Sequence, residues 1–136
     1  MKRNSGGISR TALRPKLPVW NDVLLPVDHP AEAYLDANSA HCHNLKGSAK
    51  KSGLYLSYTK TNSRKRGVFK PSIATGKGSC DFIYDIVPGH PEESILIYRM
   101  KSNDPSVRMP EIGRSIVHTE GLNLLERYIK ELAQNK

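Results

Sequence analysis

The sequence predicts a small, mainly α domain with long loops, and three observations carry that prediction. Leu122, Leu125, Ile129 and Leu132 recur at helical spacing near the end of the chain, with Leu124 and Tyr128 widening the stripe. Two earlier stretches each open on a proline, Pro30 and Pro91, where a proline suits the first turn of a helix. Between them, residues 44 to 81 are dense in Gly, Ser, Lys and Thr, with little periodicity to support a helix.

The 136 residues suffice for one domain with one modest core. Hydrophobic residues make up only 38% and mean hydropathy is −0.52, so that core is small for the length. No apolar run approaches the ~18 residues that would span a bilayer. Behind Met1-Lys2-Arg3 there is no apolar stretch of the kind a signal peptide needs. Two cysteines, Cys42 and Cys80, allow one disulfide in an oxidising compartment but make no disulfide framework.

In chain order, residues 1–28 hold Gly6-Gly7, Pro15, Pro18 and Pro26 and are expected to form an extended or disordered lead-in, with Trp20, Leu24 and Leu25 available to anchor part of it. The domain proper spans 29–136. A first helix is expected over 30–39, capped by Asp28 or His29, with Ala33, Ala37 and Ala40 on one face. Leu54-Tyr55-Leu56-Ser57-Tyr58 alternates, as a short strand or an extended loop would. A second helix is expected over 91–100, where Glu92 and Glu93 suit the positive helix end. Turns follow at Ser102-Asn103-Asp104-Pro105 and around Met109-Pro110. The last helix runs over 119–134 with Thr119 as its N-cap.

The first helix ends in Ser39-Ala40-His41-Cys42-His43, the haem-attachment pattern C-x-x-C-H with serine in place of its first cysteine. Cys42 keeps one thiol for a thioether, and His43 stands where the iron-ligating imidazole belongs. Met109, held in a loop by Pro110, supplies a soft thioether of the kind that completes the iron coordination in electron-transfer cytochromes. Met100 has the bland alternative of core packing. Three adjacent residues, His41, Cys42 and His43, close a tetrahedral zinc site poorly even with Cys80 added. No Ser-His-Asp order or Walker-type glycine loop stands out, and no enzymatic activity is expected.

Charge is unevenly placed. The net charge is +8, and from Ala37 to Cys80 there is no Asp or Glu, only cations such as Lys46, Lys50, Lys51, Arg64, Lys65 and Lys70. Such a face steers an acidic partner. Tyr55 and Tyr58 beside these cations would serve nucleic acid, but tyrosines in a basic loop more often pack on their own domain, so nucleic acid ranks last among the partners.

The longer pattern resembles a family. Tyr84-Asp85-Ile86-Val87-Pro88-Gly89-His90-Pro91-Glu92-Glu93-Ser94-Ile95-Leu96, then Tyr98-Arg99-Met100-Lys101-Ser102-Asn103-Asp104-Pro105, Arg108-Met109-Pro110 and Gly113-Arg114, are similar to stretches of bacterial c-type cytochrome domains. Ala33-Tyr34-Leu35-Asp36-Ala37-Asn38 is similar to their first helix, and the final helix with Gly121 and Leu125 to their last. The chain thus resembles, over roughly residues 31 to 132, the diheme c-type cytochromes of a large bacterial family and the related planctomycete cytochrome domains.

The resemblance implies a cytochrome c-like helical domain that binds haem c and transfers electrons. It implies Cys42 as the thioether residue and His43 and Met109 as the axial iron ligands. It also implies a redox partner protein with an acidic surface and a periplasmic location, reached as part of a longer exported precursor. Ser39 and Cys80 depart from the family's pattern, at the first thioether position and at a position where a glycine is expected. Serine forms no thioether, which leaves a second reading: a haem-free cytochrome remnant acting as an interaction module.

Overall fold

The computed structural model describes residues 18–44, 46–58, 63–73, 76–110 and 117–133. Within them the chain is mainly helical: α1 spans Asp28–Ser39, α2 spans Ile95–Lys101 and α3 spans Thr119–Leu132. Short 3-10 turns lie at Lys50–Ser52, Gly76–Ser79 and Pro91–Glu93. Among the described residues, extended pairing is confined to two isolated bridges, Val68 with Ile86 and Pro71 with Tyr84.

The strongest expectation was α3, and its stripe is the one that is buried: Leu122, Leu125, Tyr128 and Ile129 all face the core, with Leu124 and Leu132 packed at its margin. Each such side chain taken out of water stabilises the fold by roughly 1.5–3 kcal/mol. The helix cap differs from expectation. His118, not Thr119, occupies the N-cap position and makes no side-chain cap bond; its ring stacks on Tyr34 of α1. Residue 134, at the expected end of the helix, lies outside the described residues.

Helix α1 starts two residues earlier than the pattern suggested and has no side-chain cap; the Val27 carbonyl accepts the Ala31 N–H instead. Its buried face is Pro30, Ala31, Ala33, Tyr34 and Leu35, so of the expected alanine face only Ala33 is buried and Ala37 is exposed. Glycine decides how closely α1 meets α3. A Cβ on Gly121 would fall 2.2 Å from the Tyr34 ring and hydroxyl, so only a residue without a side chain admits that ring. The Tyr34 hydroxyl bonds His118 Nδ1 at 2.9 Å, and Trp20 meets both rings edge-on. Trp20 thereby ties the incoming chain to the core, whereas Leu24 is 90% exposed and anchors nothing.

The stretch expected as one helix over 91–100 is two pieces. Ser94, fully buried, adopts an extended backbone between the 3-10 turn and α2. Its hydroxyl donates to the His90 carbonyl and accepts from the Val87 N–H, which competes with helix continuation, as serine side chains do. The freed first donors of α2 find other acceptors: Ile95 N–H bonds the Tyr84 carbonyl and Leu96 N–H the Asp85 carbonyl. The 84–86 segment is thus fastened across the start of α2. Residues 54–57 form no strand and Tyr58 lies in a turn; Leu56 is buried in the core and its N–H bonds the His43 carbonyl.

Candidate functional site

A cavity of about 610 Å³ lies between the end of α1, the start of α2 and the loops that connect them. That is within the ~300–1,000 Å³ usual for cofactor and small-molecule sites. All three predicted site residues, Cys42, His43 and Met109, line it, although they come from opposite ends of the domain's sequence. Ser39 lines it too. Leu54, Leu56, Ile86, Ile95 and Leu96 form the apolar wall.

The box is presented by the way α1 ends. Ala40 N–H still bonds Asp36, then Cys42 N–H and His43 N–H both bond the Ser39 carbonyl at 3.1 and 2.8 Å. This extra turn carries Cys42 and His43 beyond the helix while keeping them attached to it. The following loop folds back on the box: Asn44 Nδ2 donates to the Ala40 and His41 carbonyls, and Ala49 N–H bonds the Cys42 carbonyl at 3.0 Å. Gly47 makes that return possible, since a Cβ there would sit 2.0 Å from the Cys42 carbonyl oxygen.

His43 is half-buried and its Nδ1 lies 3.1 Å from Ser52 Oγ. The single Ser52 hydroxyl hydrogen is donated to the Ala49 carbonyl at 2.7 Å, so toward His43 the hydroxyl oxygen accepts. Nδ1 therefore carries the proton and Nε2 keeps the lone pair. This is the tautomer an Nε2 metal ligand requires, held by a hydrogen bond to the opposite nitrogen.

Met109 is half-buried and precedes Pro110 through a cis peptide bond. Its N–H bonds the Arg99 carbonyl at 3.0 Å. Met100, by contrast, is 8% exposed in the main core, consistent with a packing role.

Charged groups also reach the cavity. Asp85 is buried in its wall, 3.5 Å from Lys70 Nζ. Burial pushes the Asp85 carboxyl above its ordinary range, opposed by the nearby Lys70 and Arg99 cations. Arg66 lines the cavity while paired with Glu32, whose carboxyl is likewise raised by burial against the pull of Arg66. Sequence reasoning missed Ser52, Asp85 and Arg99 as parts of this site. None stands in a spacing that signals chemistry; they meet the cavity only through the loops that fold over it.

Cys80 is exposed, away from the cavity and beside Tyr98, and both cysteines are free. Tyr58 packs on its own domain, its hydroxyl 3.1 Å from His29 Nδ1, and Lys65 sits 5.5 Å above the Tyr55 ring. Among the described residues, no group of three or more His, Cys, Asp or Glu is placed to hold a metal ion. None of the described helices is long and apolar enough to cross a membrane. His43, Met109 and Cys42, an imidazole, a thioether and a thiol of the kinds that hold haem c, thus line one cavity. Compared with known proteins, the chain matches no family model, no curated protein and no solved structure.

Proposed function

We propose that the chain is a cytochrome c-like electron-transfer domain, of the kind its sequence resembles, with haem held by one thioether to Cys42 and by His43 and Met109 as axial ligands. The observation that carries this reading is the cavity shared by these three side chains. Bound haem supplies a one-electron ferric/ferrous couple. The chain's own residues do the rest. Cys42 tethers, His43 is oriented by Ser52, Met109 contributes a soft donor, and the wall of Leu54, Leu56, Ile86, Ile95 and Leu96 keeps water out.

The partner under this reading is a redox protein with an acidic surface. Lys46, Lys50 and Lys51 are exposed on the loop that returns to the box, and Lys51 also lines the cavity. Ile73, at the cavity wall, and Ile83 are both exposed, and the Ser72 N–H beside Ile73 bonds the Ile83 carbonyl. An apolar patch with a cationic margin suits transient docking of an acidic protein. Because c-type haem is attached after export, the reading places the domain in the periplasm.

The test is expression behind an export leader together with haem-maturation factors, followed by absorption spectroscopy and mass spectrometry. A Soret band and haem mass on the peptide that contains Cys42 are expected. A folded product with neither would sink the proposal and leave the haem-free interaction module.

A further inference from the structure

We infer that Arg99 is the positioning residue of Met109, fastening the 107–109 segment to α2 so that Met109 stays in the cavity wall. The inference rests on the proposed role of Met109 and concerns how this chain holds that side chain.

The 104–107 turn builds itself. Asp104 accepts from the Ser106 N–H and hydroxyl through Oδ1, and its carbonyl accepts from the Val107 and Arg108 N–H groups at 2.9 and 2.8 Å. Val107, 4% exposed, helps fix where that turn sits relative to the cavity by its burial. Arg99 adds two hydrogen bonds. Its Nε donates to the Val107 carbonyl at 2.9 Å, and its own carbonyl accepts from the Met109 N–H at 3.0 Å. The second bond takes a carbonyl from the last turn of α2, which stops at Lys101. One residue therefore grips the segment on both sides of Arg108.

The guanidinium is itself located from two directions. Gly78 lies against it so closely that a Cβ there would be 3.1 Å from Cζ and Nε. The buried Asp85 carboxyl also feels its positive charge, though less than that of Lys70. Lysine has no planar Nε–H at the same place, so charge alone does not substitute for this grip.

The experiment compares the wild-type protein with Arg99→Met, Arg99→Lys and Gly78→Val, the last crowding the guanidinium without touching residues 107–109. In the haem-free proteins, the Met109 methyl group is followed by 13C NMR, assigned with Met109→Leu. Wild type should give one resolved resonance with Overhauser contacts to cavity methyls. Both Arg99 variants keep the main-chain bond from Met109 N–H to the carbonyl of residue 99 but remove the Nε bond to Val107, so both should clearly weaken those contacts, as should Gly78→Val. In the haem-loaded proteins, the thioether-to-iron charge-transfer band should lose roughly tenfold or more in population in both Arg99 variants, the scale of one charge-assisted hydrogen bond. Arg99→Lys matching wild type in both measurements would overturn the inference in favour of a charge effect. Arg99→Met matching wild type would overturn it outright. Should the Arg99 variants fail to fold, unchanged Met109 contacts in Gly78→Val would count against it. A loaded wild type without the charge-transfer band would instead remove Met109 as an iron ligand, while the haem-free NMR comparison still decides whether Arg99 positions it.

Discussion

Ser52 Oγ accepts a hydrogen bond from His43 Nδ1 at 3.1 Å, and this relationship fixes which imidazole nitrogen keeps its lone pair. Ser52 can act only as acceptor there because its hydrogen is given to Ala49 and it also receives the Leu54 N–H at 3.2 Å. Ser52→Ala should therefore release the tautomer. In 15N NMR of the haem-free protein, wild type is expected to show Nδ1 protonated and the variant a mixture of both tautomers. Under the proposed function, haem affinity falls by roughly 10–100-fold, as is usual when a metal-ligating histidine loses its supporting partner.

The thiol count gives a second expectation. Cys42→Ala should abolish covalent retention of haem while leaving the cavity intact, since no other cysteine lines it. Ser39→Cys should permit a second thioether, because Ser39 lines the same cavity. Under the proposed function, denaturing gel electrophoresis stained for haem reads the first as loss of staining, and the reduced pyridine haemochrome band, which shifts with each vinyl group converted to a thioether, reads the second.

Gly47 should tolerate no side chain. Gly47→Ala places a Cβ 2.0 Å from the Cys42 carbonyl oxygen, a backbone atom that cannot swing aside. A loss of roughly 1–3 kcal/mol is expected in urea denaturation, the range for overpacking that forces backbone shifts. The Cys42 thiol should also be alkylated faster in the variant, as the loop that folds back on it lifts away.

The α1–α3 contact makes a coupled prediction. Gly121→Ala drives a methyl into the Tyr34 ring and should cost roughly 1–3 kcal/mol. Tyr34→Leu should cost stability alone but relieve much of the Gly121→Ala penalty. A double-mutant cycle by denaturation is expected to give a clearly non-additive pair, and additive values would show that the two residues do not meet.

Asp85 sets a pH dependence with a definite sign. Its folded carboxyl is raised above the ordinary value of 3.8, chiefly by burial and against the pull of Lys70. The folded state therefore binds this proton more tightly than the unfolded state. The resulting contribution is fully present below pH 3.8 and is lost as pH rises through the raised folded value. Denaturation across this window should show wild-type stability falling relative to Asp85→Asn as pH increases, and equal slopes would contradict the burial assigned to Asp85.

The sequence by itself determined what local periodicity and chemistry can encode. The α3 stripe of Leu122, Leu125 and Ile129 was legible because a 3.6-residue repeat needs no partner to be seen. The placement of Cys42 and His43 just past a helix was legible for the same reason. Other features were invisible, each decided by something distant or by a side chain acting on its own backbone. Ser94 breaks the expected second helix because its hydroxyl bonds His90 and Val87, and serine carries no mark of that choice in the sequence. Thr119 was expected to cap the last helix, whereas His118 holds that position and its ring bonds Tyr34, far back in the chain. Only the tertiary structure decided that Met109 shares a cavity with His43, that Ser52 sets the imidazole tautomer, and that Asp85 and Arg99 stand in the same wall. Spacing along a chain encodes which residues share a helix face. Which loops fold over one cavity depends on long-range packing, here through Gly47, Gly78 and Gly121, where the absence of a side chain allows the close approach.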